Sequence, residues 1–184
     1  RILLAQQLCR DFMEYCDADV LHVHSGKSEY LNTTKHDEIT QWFHNSTNNQ
    51  LIFTTYHSLH KLQECLDVEV DTVYYDEAHN SVQSNFVEAV DYFSIHADRC
   101  FYFTATPKHS LTPMRVGMND SDIFGEVIYN VPAPKLVEEG HILPPKVKVY
   151  KTDILQKDEI TYDVECNQII DNIDDHNTKK ILVC

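Results

Sequence analysis

The sequence predicts an α/β domain built on a doubly wound parallel sheet, and three observations carry that expectation. Apolar strand-like runs alternate with helix-like stretches along the chain. The runs LIFTT, TVYYD and CFYFT are continuously apolar or aromatic rather than alternating, as strands are when helices cover both faces of a sheet. Each run also ends on a hydroxyl or a carboxylate. In a parallel sheet all such ends lie on one rim, and ligands bind outside that rim.

Each element follows from local pattern. RILLAQQLCRDFM sets Leu4, Leu8 and Phe12 at helical spacing. DVLHVHS reads as a strand over 19–24, closed by Ser25 and Gly26. Thr34-Lys35-His36-Asp37 resembles a capping box, with Ile39, Trp42 and Phe43 on the face of the helix that follows. The polar loop NSTNNQ leads into LIFTT, and then into a helix carrying Leu59, Leu62 and Leu66. TVYYD is a strand, 86–93 a helix around Val90, and CFYFT another strand. In PAPKLVEEGH, Pro132 lies near a helix start and Gly140 at its stop, while Pro144-Pro145 extends neither sheet nor helix. The first domain is therefore expected over 1–143. KVKVY then reads as a strand, Cys166, Ile169, Ile170 and Ile173 as a helix face, and KKILVC as the opening of another buried strand. Residues 144–184 are read as a linker and the start of a second domain. A helix that begins with no capping segment and a strand that ends the chain read as a piece of something longer.

Composition narrows the function classes. The 184 residues carry 15 basic and 29 acidic side chains, a formal net charge of −14 that repels a phosphate backbone in bulk. The charge is uneven: 153–175 is strongly acidic, and Lys146, Lys148 and Lys151 precede it. No apolar run approaches bilayer length and no signal-peptide layout is present, so no membrane partner is expected and the reading is cytoplasmic or otherwise intracellular. Four glycines and no low-complexity tract argue against disorder. The six cysteines form no CxxC pair and are expected reduced. His22/His24 and His57/His60 could each share a face, but neither has a second pair of ligands nearby, so no structural metal is expected.

The chemistry concentrates in VYYDEAHN. A strand that ends on Asp76 presents a carboxylate at an edge or to a cation, since burying it unpaired is expensive. Such an Asp can hold the water shell of Mg²⁺, and a second carboxylate beside it can orient and deprotonate an attacking water. An isolated Asp-Glu after a strand more often caps the next helix, with the Glu solvated. A phosphatase-like use would need a DxD pattern, and Asp76 to Ala78 supplies none.

DEAH followed, after one helix and one strand, by FTATP resembles motifs II and III of superfamily 2 helicases and translocases. RILLAQQL resembles their motif Ia and FTTYHSL the motif after it. FGEVIYNVPAPKLVEEGHILPP looks like the segment joining two motor domains in the restriction-enzyme-like and repair-helicase-like branch. The resemblance implies a RecA-like P-loop NTPase domain without its first strand and P-loop, then the beginning of a second RecA-like domain of the same parent chain. It implies ATP and Mg²⁺ as cofactors and nucleic acid as partner, DNA favoured over RNA. Residue by residue, Asp76 would hold Mg²⁺ through water, Glu77 would activate the hydrolytic water, and His79 would link the nucleotide site to motif III. Thr104, Ala105 and Thr106 would couple nucleotide state to domain closure. Arg1, Gln6, Ser25, Gly26, Thr54 and Thr55 would contact nucleic acid, helped by N-terminal N–H groups that bind phosphate whatever the net charge. No GxxxxGK[ST] occurs in the sequence. The parent is therefore expected to be a nucleic-acid-dependent ATPase, and this chain alone inactive. The rivals are a motor subunit of a type I/III-like restriction system and a non-hydrolysing nucleic-acid-binding remnant.

Overall fold

All strand pairings among the described residues are parallel, as expected from the apolar runs. The computed structural model describes residues 2–65, 69–144 and Asn167. The chain divides into two compact units, Arg1–Tyr129 and Asn130–Cys184. The first unit runs α1 (Ile2–Met13), β1 (Asp19–Val23), β2 (Leu31–Asn32), α2 (His36–Asn45), β3 (Gln50–Thr54), α3 (Leu59–Gln63), β4 (Thr72–Tyr75), α4 (Val87–His96), β5 (Arg99–Tyr102) and α5 (Ser121–Phe124). A 3-10 turn over Tyr56–Ser58 precedes α3, and another over Ala78–Asn80 follows β4. In the second unit, α6 (Ala133–Glu138) starts behind Pro132, and Gly140 follows its end at φ 76°.

The strands form two sheets rather than one continuous sheet. In the first, β1 lies between β2 and β3, with Leu21 opposite Leu31 and Val20 opposite Leu51. In the second, β4 pairs β5, with Val73 opposite Cys100 and Tyr75 opposite Tyr102. Helix α2 lies in the β1–β3 connection and α4 in the β4–β5 connection, as a parallel pair requires. One hydrophobic core serves both sheets: Leu21, Val23, Ile39, Leu59, Leu62, Tyr75, Val90 and Phe93 are buried in a single cluster. Each fully buried aliphatic or Phe side chain contributes about 1.5–3 kcal/mol relative to exposure. Four consecutive residues of β1, Val20 to Val23, are buried, His22 among them.

Local expectations need four corrections. The inward stripe of α1 is Ala5 and Cys9, while Leu4 and Leu8 are half-buried and Phe12 is exposed. Small side chains let α1 approach closely, and the leucines flank that contact. The Thr34 capping box does not form. Lys35 is the N-cap of α2 and has no side-chain cap bond; Thr33 Oγ1 instead accepts the Lys35 N–H at 3.1 Å and donates to Glu38 Oε2 at 2.5 Å. Helix α3 ends at Gln63, so Cys65 follows the helix instead of lying in it. The helix expected over 86–93 begins one residue later and continues to His96.

Cys9, Cys16, Cys65 and Cys100 are free thiols, and burial pushes the thiols of Cys9, Cys65 and Cys100 up, away from thiolate. No helix among the described residues is long and apolar enough to cross a membrane. The expected contributions of Arg1, Leu66, Lys146, Lys148, Lys151, Cys166, KVKVY and KKILVC lie outside the described residues.

Candidate functional site

The ends of β4 and β5 meet in one hydrogen-bonded cluster. The backbone extends the β4–β5 ladder past the strands: Phe103 N–H donates to Tyr75 C=O at 2.9 Å and Ala78 N–H to Phe103 C=O at 2.8 Å. Between these two bonds lie Asp76 and Glu77. The Asp76 carboxylate is half-buried and its Oδ1 accepts the Glu77 N–H at 2.9 Å. Glu77 takes a left-handed conformation, φ 49° and ψ 47°, and is the one non-glycine residue of positive φ among the described residues. That geometry costs an L-residue about 1–2 kcal/mol, and it turns the Glu77 carboxylate outward, where it is half-exposed.

His79 occupies the first 3-10 turn after this bend and ties it to the loop after β5. Its Nδ1 lies 3.1 Å from Thr104 Oγ1, 3.4 Å from Thr106 Oγ1 and 3.4 Å from Glu77 Oε2. Thr104 Oγ1 also accepts the Thr106 N–H at 3.1 Å. Asp76, Glu77, His79, Thr104 and Thr106 therefore form one constellation. Ala105 lies in the exposed bend between the two threonines.

Of the expected nucleic-acid residues, Ser25, Gly26, Thr54 and Thr55 lie at the ends of β1 and β3 of the other sheet, and Gln6 lies on α1. Thr54 Oγ1 donates to Val23 C=O at 3.0 Å, joining the ends of β3 and β1, and Thr55 Oγ1 donates to Ser58 Oγ at 3.3 Å. Ser25 is exposed. Gly26 approaches α1 so closely that a Cβ there would lie 2.7 Å from Ile2 Cγ2. Gln6 reaches from α1 to donate its amide to Lys27 C=O. The two rims are joined by Tyr56, whose hydroxyl donates to Asp76 C=O at 2.9 Å.

A histidine pair supports the Ser25–Gly26 loop. Gly26 N–H donates to His24 Nδ1 at 3.1 Å, so the neutral His24 carries its proton on Nε2 and donates to His22 Nδ1, also at 3.1 Å. The neutral His22 then carries its proton on Nε2, a buried atom without a partner. Burial lowers the pKa of both rings, and the neighbouring His24 lowers that of His22 further. A cavity of about 280 Å³ opens beside His22, with Gln6, Arg10, Lys27, Glu29 and Tyr30 on its walls, so two cations and one carboxylate line it.

Sequence reasoning did not single out Tyr56, Arg10 or Lys27. Tyr56 follows Thr55 in the FTTYHSL motif, but its polar link is to a residue 20 positions away and leaves no local signal. Arg10 and Lys27 are brought together by folding of α1 against the β1 loop.

The residues suit the chemistry of a hydrated Mg²⁺. The donor at Asp76 is a hard oxygen at a strand end, and one carboxylate with several waters satisfies that ion. No group of three or more His, Cys, Asp or Glu that could hold a metal ion occurs among the described residues.

The model of a family described as "Type III restriction enzyme, res subunit" matches residues 1–109. No curated protein sequence matches the chain. Among solved structures, the chain is similar to a nuclease-deletion mutant of the Type ISP restriction-modification enzyme LlaGI in complex with a DNA substrate mimic, with a TM-score of 0.64 and 24% sequence identity. The match covers 76% of this chain and 13% of that one. The fold is therefore a mixed α/β, RecA-like arrangement of parallel strands.

Proposed function

This chain belongs to the type III restriction enzyme res-subunit family, and from that premise we propose that it forms part of the ATP-hydrolysing motor of a DNA-translocating restriction system. The observation that carries the reading is the meeting of two motifs: His79 Nδ1 lies within 3.4 Å of Glu77 on its own loop and of Thr104 and Thr106 on the next. A solvated helix cap would need none of these bonds.

In this reading Asp76 holds the water shell of Mg²⁺, which supplies charge neutralisation to the phosphates of ATP when bound. Glu77 takes a proton from the attacking water. Its left-handed backbone turns the carboxylate away from the sheet, out of the Asp76–Ala78 ladder and toward solvent. His79 senses Glu77 and passes its position to Thr104, Ala105 and Thr106, which couple nucleotide state to closure of a second motor domain. That second domain begins near residue 144 in our reading. Nucleic acid runs along Gln6, Ser25, Gly26, Thr54 and Thr55, with Arg1 before them. Arg10 and Lys27, set against the one carboxylate of Glu29, leave a small local positive excess where a phosphate backbone would pass. DNA is favoured over RNA because the similar solved enzyme was captured with a DNA mimic.

The phosphate-cradling loop is not within these 184 residues, so the isolated chain is expected to give no ATP turnover. The test uses the full-length protein: DNA-stimulated ATPase of wild type against Glu77→Gln. Stimulated turnover in wild type that disappears in the variant supports the motor. DNA binding with no turnover in wild type would instead favour a non-hydrolysing remnant.

A further inference from the structure

We propose that Tyr56 is a positioning residue that transmits occupancy of the nucleic-acid rim to the peptide bearing Glu77. The inference rests on the motor reading above, but the residue and its contact come from the structure alone. Tyr56 opens the 3-10 turn directly after Thr54 and Thr55. Its hydroxyl donates to Asp76 C=O at 2.9 Å and faces Ser81 Oγ at 3.4 Å. Among the described residues, the side-chain hydrogen bonds that join the β3-end turn to the β4-end loop all pass through this one oxygen.

The position of the contact makes it consequential. The Asp76–Glu77 peptide is held at both polar ends, its C=O by Tyr56 and its N–H by the Asp76 carboxylate. Glu77 departs from that peptide in the left-handed conformation, and its own C=O accepts from Asn80 N–H and Asn80 Nδ2, both at 2.9 Å. A shift of the Asp76 carbonyl therefore re-aims the Glu77 carboxylate. On the other side, the Tyr56 ring packs between Tyr75 and Phe86, with centroids at 6.1 and 5.6 Å, so the hydroxyl moves with its turn and not independently. Burial pushes the phenol up to about 12, which keeps it a proton donor throughout the physiological range. A strand that displaces the Thr54–Thr55 turn must move this donor, and by linkage the nucleotide state must alter the strand's affinity in return.

The experiment compares wild type, Tyr56→Phe and Tyr102→Phe in the full-length protein. Tyr102 is the control: it is a strand-end tyrosine whose hydroxyl also donates to a backbone carbonyl, but to Ile123 C=O on α5 at 3.0 Å and not to the Asp76–Glu77 peptide. The readouts are the ratio of ATP turnover with and without DNA, and the change in DNA affinity on adding a non-hydrolysable ATP analogue. Tyr56→Phe is expected to lower the stimulation ratio about tenfold, the rate equivalent of one hydrogen bond, and to erase the analogue's effect on DNA affinity. Tyr102→Phe is expected to keep both at the wild-type level while its unfolding midpoint falls as much as that of Tyr56→Phe. Wild-type coupling in Tyr56→Phe overturns the inference, as does an equal loss in Tyr102→Phe. A wild type that shows no turnover with DNA overturns the motor reading itself, and the inference with it.

Discussion

The two rims of this molecule use the same residue types in opposite ways. At the ends of β4 and β5, side chains bond across elements: His79 faces Thr104, Thr106 and Glu77, and all four lie on loops that differ in sequence by a helix and a strand. At the ends of β1 and β3, the hydroxyls of Thr54 and Thr55 are spent on backbone and a neighbouring serine. In the motor reading proposed above, the first rim would handle protons and the second would seat the nucleic acid.

That contrast fixes the order of expected effects. Glu77→Gln retains size and removes the base, so DNA-stimulated turnover is expected to fall about a thousandfold while ATP still binds; steady-state kinetics with nucleotide titration check this. A fall of less than tenfold would place the base elsewhere. Thr104→Val keeps volume and removes the hydroxyl between His79 and the Thr106 N–H. About a tenfold loss of turnover is expected, and Thr104→Val with His79→Ala should lose little more than the larger single change, since both cut one link. On the second rim, Thr54→Val removes the hydroxyl's bonds to Val23 C=O and Thr55 C=O and is expected to cost ~1 kcal/mol in urea unfolding, with DNA affinity changed by no more than about threefold. A loss of affinity above about tenfold would make that hydroxyl a direct phosphate contact.

The smallest effect concerns pH. His22 and His24 have folded pKa values below their ordinary 6.5, so the unfolded chain takes up protons first as pH falls. Their contribution to stability is complete above 6.5 and is lost progressively as pH drops through the lowered folded values. Thermal midpoints across that window should fall more gently for His22→Phe than for wild type. An unchanged slope would mean that another group governs the acid limb.

Much of this architecture was legible because it is written in consecutive residues. TVYYD and LIFTT each carry a run of consecutive apolar or aromatic residues, and their strands end within one residue of the polar groups expected at the rim. The acid pair and the TAT bend were legible for the same reason. What escaped depends on contacts between distant segments. Strand β2 is two residues long and exists only because Leu31 and Asn32 fall beside β1. The inward face of α1 was misjudged by one position because closeness of approach, not residue size, selected Ala5 and Cys9. Thr33 and Thr34 are equivalent as local caps, and only Glu38 and the backbone of Lys35 distinguish them. The division into two sheets has no signature in any single strand.

The parallel pairing has a consequence for how the molecule is made. Asp19 must find Gln50, and Thr72 must find Arg99, with a whole helix threaded between each pair. No pair of these strands can close as a hairpin, so the loop entropy is spent before the first ladder bond forms. Refolding is therefore expected in milliseconds or longer, well behind a helical bundle of this length, and the unpaired β3 and β5 edges stay open to other chains during that interval.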